Sequence, residues 1–343
     1  MMSFTAEYIP EIRQRLLEAI TTRDRVFDDM VFQPFRGEGK MVRPRMVLLS
    51  AGLFGPIDEK VMDVAVAVEC IHTASLVHDD VIDEAWVRRG VDTASHLFGN
   101  RTAILLGDHL FATAFYLMTR NNLTSIVAIL ARAISEMCQG EIRQDTNLFN
   151  PDLSFDDYFL NIFGKTASLF SAACRCGALA SGASAEDSNT MALFGENLGY
   201  AYQIADDLLD LFGSEEQMGK PAGSDLLNGV ITLPVIYTLM VSKHKDWLRS
   251  LIVSRDIDKK NLEKAILLVQ ESGAIKYSLD ILRGKISHSM ALLERLPLGM
   301  HHDELFEYCL VLTRNNLLDD RSLPNFHGRG NENCFQAPGF TTI

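Results

Sequence analysis

The chain has no run of about 18 uninterrupted apolar residues, so the sequence offers no obvious membrane-spanning helix. Its opening, with Phe4, Glu7 and Glu11 in place of a basic start and an apolar core, does not read as a signal peptide. Positive charge is in short supply. Lys and Arg number 32 against 45 Asp and Glu, and the formal net charge of −13 argues against nucleic acid as the main partner, because phosphate backbones are held by basic surfaces. Any basic cluster therefore reads as a local site. Cysteine follows no repeating spacing: Cys70, Cys138, Cys174, Cys176, Cys309 and Cys334 stand scattered, most of them in apolar helical patterns, as free buried thiols do. That usage points to a reducing compartment, and a cytoplasmic location is the expectation. Cys174 and Cys176, two residues apart, face different sides of a helix, which favours core packing over a shared metal. Neither an alternating strand pattern nor a short-period repeat is present, which leaves an all-α class.

What the chain does have is helix after helix. With 343 residues, 47% apolar and 22% charged, it can build a sizeable core under a soluble surface. The length admits two domains, but an all-helical single domain also reaches this size. Tyr8, Ile12, Leu16 and Ile20 recur at helical spacing, and Val26, Phe27 and Met30 continue the pattern to Pro34. After a turn at Gly37 and Gly39, an apolar segment runs from Met46 to Leu53, then a helix from Val61 to Glu84. Residues 90–100 read as a loop. Further helices are expected over Thr102–Met118, Thr124–Gln144, Ser154–Ala180, Glu186–Phe212, Thr232–Leu251, Lys260–Glu271, Ile275–Leu293 and Asp303–Leu312. Residues 213–229 read as a loop over a site, and 317–343 as a poorly ordered tail after a domain of residues 1–316.

The centre of this pattern is Glu69 to Gly90, where an apolar helix runs into Asp79, Asp80 and Asp83, followed by Arg88 and Arg89. Asp79 and Asp83 lie one turn apart on one face, with His72 two turns back on the same stripe. Aligned carboxylates at the end of a buried helix are expensive, and a cation such as Mg²⁺, shared with phosphate oxygens, is the usual remedy. The spacing recurs at Asp206, Asp207 and Asp210, with Gln203 on the same face. Either stretch alone reads equally well as a solvated acidic helix end. Two copies on separate apolar helices demand bound cations and predict a carboxylate-lined site between facing helices. Arg88 and Arg89 have a plainer rival role as helix-end cations, and His72 as a satisfied core histidine; His78 reads as packing. Gly164-Lys165-Thr166 is no nucleotide loop, since Phe159 stands where that motif needs glycine.

Motif by motif over about residues 35–240, the chain resembles the trans-isoprenyl diphosphate synthases, the polyprenyl synthetase family. The matching residues are glycine followed by Lys40, Arg43 and Pro44; His72 through Gly90; Leu106-Gly107-Asp108; Gly140-Glu141 with Gln144; Lys165-Thr166-Ala167; Gln203 through Asp210; Gly219-Lys220 to Asp225; and Ile231 to Pro234. The resemblance implies a single-domain isoprenoid-synthase-like bundle of long helices around a deep central cavity, with the two acidic regions facing across its mouth. It implies that an allylic diphosphate is condensed with isopentenyl diphosphate, head to tail (1'-4), to an all-trans polyprenyl diphosphate. Mg²⁺, three ions per site with Mn²⁺ as substitute, would be held by Asp79, Asp83 and Asp206, with Asp80, Asp207 and Asp210 orienting waters or neighbouring groups. Arg88, Lys165, Thr166, Gln203 and Lys220 would hold the allylic diphosphate. Lys40, Arg43, His72 and Arg89 would hold isopentenyl diphosphate. A homodimer, with peripheral membrane contact for product release, is the implied assembly. Departures from the pattern are Met41 for a frequent arginine, Gly164 for a frequent basic residue and Val230 for a frequent lysine, the last removing one allylic phosphate contact.

Product length is read from the same helix. A chain anchored at Asp79 and Asp83 extends back past Ser75 and Ala74, then Ile71, Val68 and Ala67, none of them aromatic. Phe111 and Phe115 on a facing helix stand further down. One isoprene unit spans roughly 5 Å, about a helical turn, so a medium or long product of about six to ten units is expected, of the kind used for quinone side chains. Three rivals remain: a short-chain farnesyl or geranylgeranyl synthase, a terpene cyclase, which would not need the Lys40, Arg43, His72 and Arg89 set, and a subunit of a heteromeric synthase.

Overall fold

The computed structural model describes residues 4–37, 39–88, 90–213, 222–297 and 300–314. The chain opens with α1 (Phe4–Ile20), α2 (Arg25–Val31) and a short 3₁₀ turn at Gln33–Phe35, followed by α3 (Val42–Gly52) and α4 (Glu59–Ile82). A two-residue antiparallel ladder, β1 (Val87–Arg88) with β2 (Val91–Asp92), leads through α5 (Ala94–Phe98) to α6 (Asn100–Arg120) and α7 (Thr124–Thr146). Next come α8 (Phe155–Ile162), a π-helical turn at Phe163–Ala167, α9 (Ser168–Ala180) and α10 (Ala185–Phe212). The rest is α11 (Ser224–Leu227), α12 (Leu233–Val241), α13 (Lys245–Ser254), α14 (Lys259–Glu271), α15 (Ala274–Leu293) and α16 (Met300–Arg314).

Side-chain caps start the two longest helices, α4 and α10, where the sequence changes from polar to periodic. Asp58 accepts from the backbone N–H groups of Lys60 and Val61 at the head of α4, and Ser184 does the same for Asp187 at the head of α10. Ser154 and Asp157 form a reciprocal capping box at α8. From Val61 to Ile71 every residue of α4 is buried, because the helix packs between α3, α6 and α9. That placement explains its composition. By length and apolarity alone α4 and α6 are both long enough to cross a membrane, contrary to the reading from uninterrupted runs, but 78% of α4's most apolar window is buried inside the protein. Of the two acids in that stretch, Asp63 and Glu69, Asp63 is held by Arg120 at 2.7 Å and by the Asn121 amide at 2.5 Å, as burial of a carboxylate requires.

Among the described residues the interior gathers into two apolar clusters. The larger gathers α1, α3, α4, α6, α7, α9 and the first half of α10 through Met191, Phe194 and Leu198. The smaller gathers α8, α12 to α15 and the second half of α10 through Ala201, Ile204, Ala205, Leu208 and Leu211. One helix therefore runs through both, and its acidic stretch falls on the second.

Three local departures from the sequence reading have physical reasons. The segment 154–180 is interrupted by the π turn, an insertion that an apolar run on both sides conceals. The segment 232–251 breaks after Val241, where Ser242 turns extended and the polar Ser242, Lys243 and His244 leave the core. Residues 90–100 hold β2 and α5, elements too short to show periodicity. The tail expected over 317–343 lies outside the described residues.

Candidate active site

The last turns of α4 place the first three aspartates in unlike surroundings. Asp79 is half-buried, Asp80 is 6% exposed, and Asp83 is the exposed C-cap of the helix. The β1–β2 ladder folds the chain back so that the Arg88 guanidinium meets Asp80 at 2.6 Å. Burial pushes the Asp80 carboxyl above its ordinary value, opposed by that arginine. At Asp79 burial and the nearby Glu141 carboxylate push the group up to about 7, against the pull of Lys165 and Arg88. Glu141 thus comes from α7 to face α4.

The π turn is what brings α7 and α10 to this point. A side chain on Gly140 would meet the Gly164 Cα at 2.8 Å, and one on Gly164 would meet the Glu136 carbonyl at 2.6 Å, so both positions must be glycine for α7 and the turn to touch. A basic residue at 164, frequent in the family pattern, has no room here. The turn then presents Lys165, exposed and donating to Gln144 at 3.2 Å, and buried Thr166, donating to the Gln203 carbonyl at 2.6 Å. The Gln203 amide donates to Asp207 at 2.9 Å, and the Tyr158 hydroxyl donates to the other Asp207 oxygen at 2.6 Å. Asp207 is 3% exposed, and burial together with Asp225 and Asp206 pushes it up to about 7 despite these two donors. Asp210 is 2% exposed and accepts from the Ser224 hydroxyl at 2.6 Å and the Asp225 N–H at 3.1 Å. Asp206, at the head of the motif, is exposed. Gln203 and Thr166 are therefore committed to each other and to Asp207, which makes them wall and relay more than open donors.

On the other side of α4 lies a cavity of about 180 Å³, bordered by the Gly37 and Gly39 turn, Met41, His72, Asp80 and Arg88. From α3, Arg43 donates to His72 Nε2 at 3.0 Å, which places the histidine proton on Nδ1 in the neutral ring. Arg43 also lies 5.2 Å from the Phe170 ring centroid. Met41 has φ 49°, a left-handed backbone unusual for its type, where the turn enters α3. Lys40 is exposed just before it. Arg88, expected on the allylic side, stands at the border, lining this cavity while reaching Asp80. Arg89 and Lys220 lie outside the described residues.

Of the residues expected to set product length, Ile71 and Ala74 are fully buried in the packed interior, and Ser75 is half-buried with its hydroxyl on the His72 carbonyl at 2.9 Å. Only Ser75 of the three reaches open space. His78 packs, as expected, donating to the Ile104 carbonyl at 3.0 Å beside the Phe111 ring. Tyr158, Glu141 and Ser224 entered no role from sequence. Tyr158 is 49 residues from Asp207 and carries no local signal, whereas Glu141 and Ser224 lie within matched motifs whose partners only the fold reveals.

Among the described residues no three or more His, Cys, Asp or Glu side chains gather as ligands for an ion. The donor set still fits Mg²⁺. It is all carboxylate oxygen, and the reachable members Asp79, Asp83 and Asp206 leave coordination positions to be completed by phosphate oxygens and water, as this ion prefers.

The model of the family described as polyprenyl synthetase matches residues 24–269. Heptaprenyl diphosphate synthase component 2 of Geobacillus stearothermophilus is 38% identical over 92% of this chain and 98% of its own length. Solanesyl diphosphate synthase 1, chloroplastic, of Arabidopsis thaliana is 38% identical over 87% of this chain and 74% of its own. The crystal structure of heptaprenyl diphosphate synthase from Staphylococcus aureus superposes with a TM-score of 0.85 at 32% identity, covering 91% of this chain and 98% of that one. Matched over most of its length in sequence and in fold, the chain belongs to the polyprenyl synthetase family.

Proposed function

We propose that the chain condenses an allylic diphosphate with isopentenyl diphosphate in successive head-to-tail additions, giving an all-trans polyprenyl diphosphate. The observation that carries this reading is the division of the six aspartates. Asp80, Asp207 and Asp210 are buried and held by Arg88, Tyr158, Gln203 and Ser224, while Asp79, Asp83 and Asp206 remain reachable. Asp79, Asp83 and Asp206 would hold Mg²⁺, three ions per site or Mn²⁺ in their place, and the other three aspartates keep that set aligned. When bound, the metal neutralises the charge that develops on departing pyrophosphate. Lys165 at the π turn, Arg88 and Lys220 hold the allylic diphosphate, with Thr166 and Gln203 shaping the wall. Lys40, Arg43, His72 and Arg89 hold isopentenyl diphosphate. After the allylic carbon–oxygen bond breaks, the second alkene attacks the carbocation, and the released pyrophosphate accepts the proton, so no side chain is assigned as base.

The product is medium or long, about six to ten units, because Ser75, which reaches open space one turn below the metal end of α4, puts no bulk there. Relatives named for heptaprenyl and solanesyl products support that range. A homodimer is supported by apolar residues exposed on α6 and α7, Leu105 at 56%, Tyr116 at 66% and Ile142 at 66%. Heteromeric assembly is the second reading, favoured by the relatives named as component 2 of a synthase. The location is cytoplasmic, consistent with the free thiols of Cys70, Cys138, Cys174, Cys176 and Cys309, with a peripheral membrane contact for product release.

The test is purified chain alone with Mg²⁺, farnesyl diphosphate and radiolabelled isopentenyl diphosphate. Products of about six to ten units are expected, and Ser75→Phe should shorten them to about three or four. No turnover by the chain alone, restored by a second protein, would favour the heteromer. Farnesyl or geranylgeranyl diphosphate as the only product, unchanged by Ser75→Phe, would end the length argument.

A further inference from the structure

The cavity beside His72 has a lining residue with no role in the reading above. Arg13 lies on α1, half-buried, and its Nη2 donates to the Gly39 carbonyl at 2.8 Å across 26 residues of chain. No carboxylate among the described residues pairs with it. The cavity wall carries three acids, Glu69, Asp80 and Asp92, of which Asp80 meets Arg88 at 2.6 Å and Asp92 lies 3.2 Å from His96. A carbonyl accepts a hydrogen bond without cancelling charge, and a guanidinium has several further N–H groups. Arg13 therefore brings a guanidinium with no carboxylate bound to it to the edge of a 180 Å³ space shared with His72 and Arg88. Partial burial makes that charge costly unless an anion meets it. Its tether adds a second element, since the Gly37–Gly39 turn leads directly to Lys40, the left-handed Met41 and Arg43.

We propose that Arg13 is a diphosphate-binding residue of the isopentenyl side, fixing the glycine turn with one N–H and offering the rest of its guanidinium to the diphosphate. This rests on the assignment of that side to isopentenyl diphosphate. Two bonds of one fork then serve different partners, which a lysine could not reproduce in full.

Steady-state kinetics of the full chain, with each substrate varied in turn, test it. Arg13→Gln keeps an amide donor for the Gly39 carbonyl and removes the charge. It should raise KM for isopentenyl diphosphate about 10- to 100-fold while moving the allylic KM less than about threefold. Arg13→Lys should recover part of the loss. Calorimetric titration with isopentenyl diphosphate alone should show the same weakening without turnover, and thermal unfolding of each variant separates binding from folding. Arg43→Ala runs beside them. If it weakens isopentenyl diphosphate while Arg13→Gln binds as wild type, Arg13 is only a tether and the proposal is overturned. An equal rise in both KM values with Arg13→Gln overturns it too. If neither variant weakens isopentenyl diphosphate, the assignment of the whole side fails.

Discussion

Asp80 and Asp207 occupy the same position in two copies of one motif, and both are buried, at 6% and 3% exposure, yet they are held by opposite means. Asp80 meets a cation, Arg88, delivered by a hairpin only eight residues away. Asp207 meets neutral donors, the Tyr158 hydroxyl and the Gln203 amide, and has Asp225 and Asp206 nearby as further negative charge. Both motifs sit in the last turns of their helices, where the macrodipole opposes negative charge, so each is an expense the fold must offset. The α4 end is offset by charge close in sequence. The α10 stretch is offset by neutral hydrogen bonds, one from Gln203 on the same helix and the others from Tyr158, Ser224 and the Asp225 N–H, so its geometry depends also on how α8 and α11 pack. An identical spacing therefore does not imply an identical electrostatic setting.

The largest expected effects come from the reachable carboxylates, where the two regions should behave alike. Asp79→Ala and Asp206→Ala should each lower turnover by several orders of magnitude, and chelation should abolish it in the wild type. Radiolabel incorporation measures all three. Near-normal turnover in one variant alone would mean that only one region holds metal and that the comparison pairs a site with a structural copy of it.

Next in size are the supports, where the regions should part. Tyr158→Phe keeps the ring against Phe159, 5.4 Å centroid to centroid, and removes only the hydroxyl from Asp207. Losing one of two donors in a site closed to water should cost about 10- to 100-fold in activity or in apparent Mg²⁺ affinity, read from a Mg²⁺ titration of the rate. Unchanged Mg²⁺ dependence in this variant would mean that Gln203 alone positions Asp207.

These assignments were unevenly legible beforehand. The bundle and its helices follow from apolar residues at 3.6 spacing, and the two acidic stretches from their repeated interval, both of which are local patterns. The cation at Asp80 was within reach of the sequence, because Arg88 follows in the same segment. The support of Asp207 was not, since Tyr158 joins it only through the packing of α8 on α10. The π turn was hidden as well, an insertion in an apolar stretch whose periodicity continues on both sides. Ile71 and Ala74 are sealed in the interior, and spacing cannot tell a helix face that borders open space from one covered by a neighbour.

The connection between the regions offers a test through stability. Gly164→Ala puts a methyl against the Glu136 carbonyl and the Gly140 Cα, both 2.6 Å from the built position, and neither is a flexible side-chain end. Overpacking of this kind costs about 1–3 kcal/mol, so the unfolding temperature should fall by a few degrees. A lower allylic affinity should accompany it, because Lys165 and Thr166 ride on the displaced turn. An unchanged unfolding temperature together with unchanged affinity would show that the turn adjusts freely and does not set the spacing of α7 and α10.

Ser224→Ala should have the smallest effect, and its size relative to Tyr158→Phe is the sharpest check on the comparison. The Ser224 hydroxyl donates to Asp210 at 2.6 Å, but the Asp225 N–H donates to the other oxygen of that carboxylate at 3.1 Å, and no side-chain substitution removes a backbone donor. Ser224 is also only half-buried, so water can replace the lost hydroxyl, whereas Tyr158 at 2% exposure leaves no such entry at Asp207. A net loss near the value of one ordinary hydrogen bond, about 1 kcal/mol, corresponds to a rate decrease of roughly fivefold. The ordering matters more than either value. If Ser224→Ala proved more damaging than Tyr158→Phe under the same Mg²⁺ titration, the α10 stretch would depend on the α11 side of the site, and support of Asp207 from α8 would be secondary.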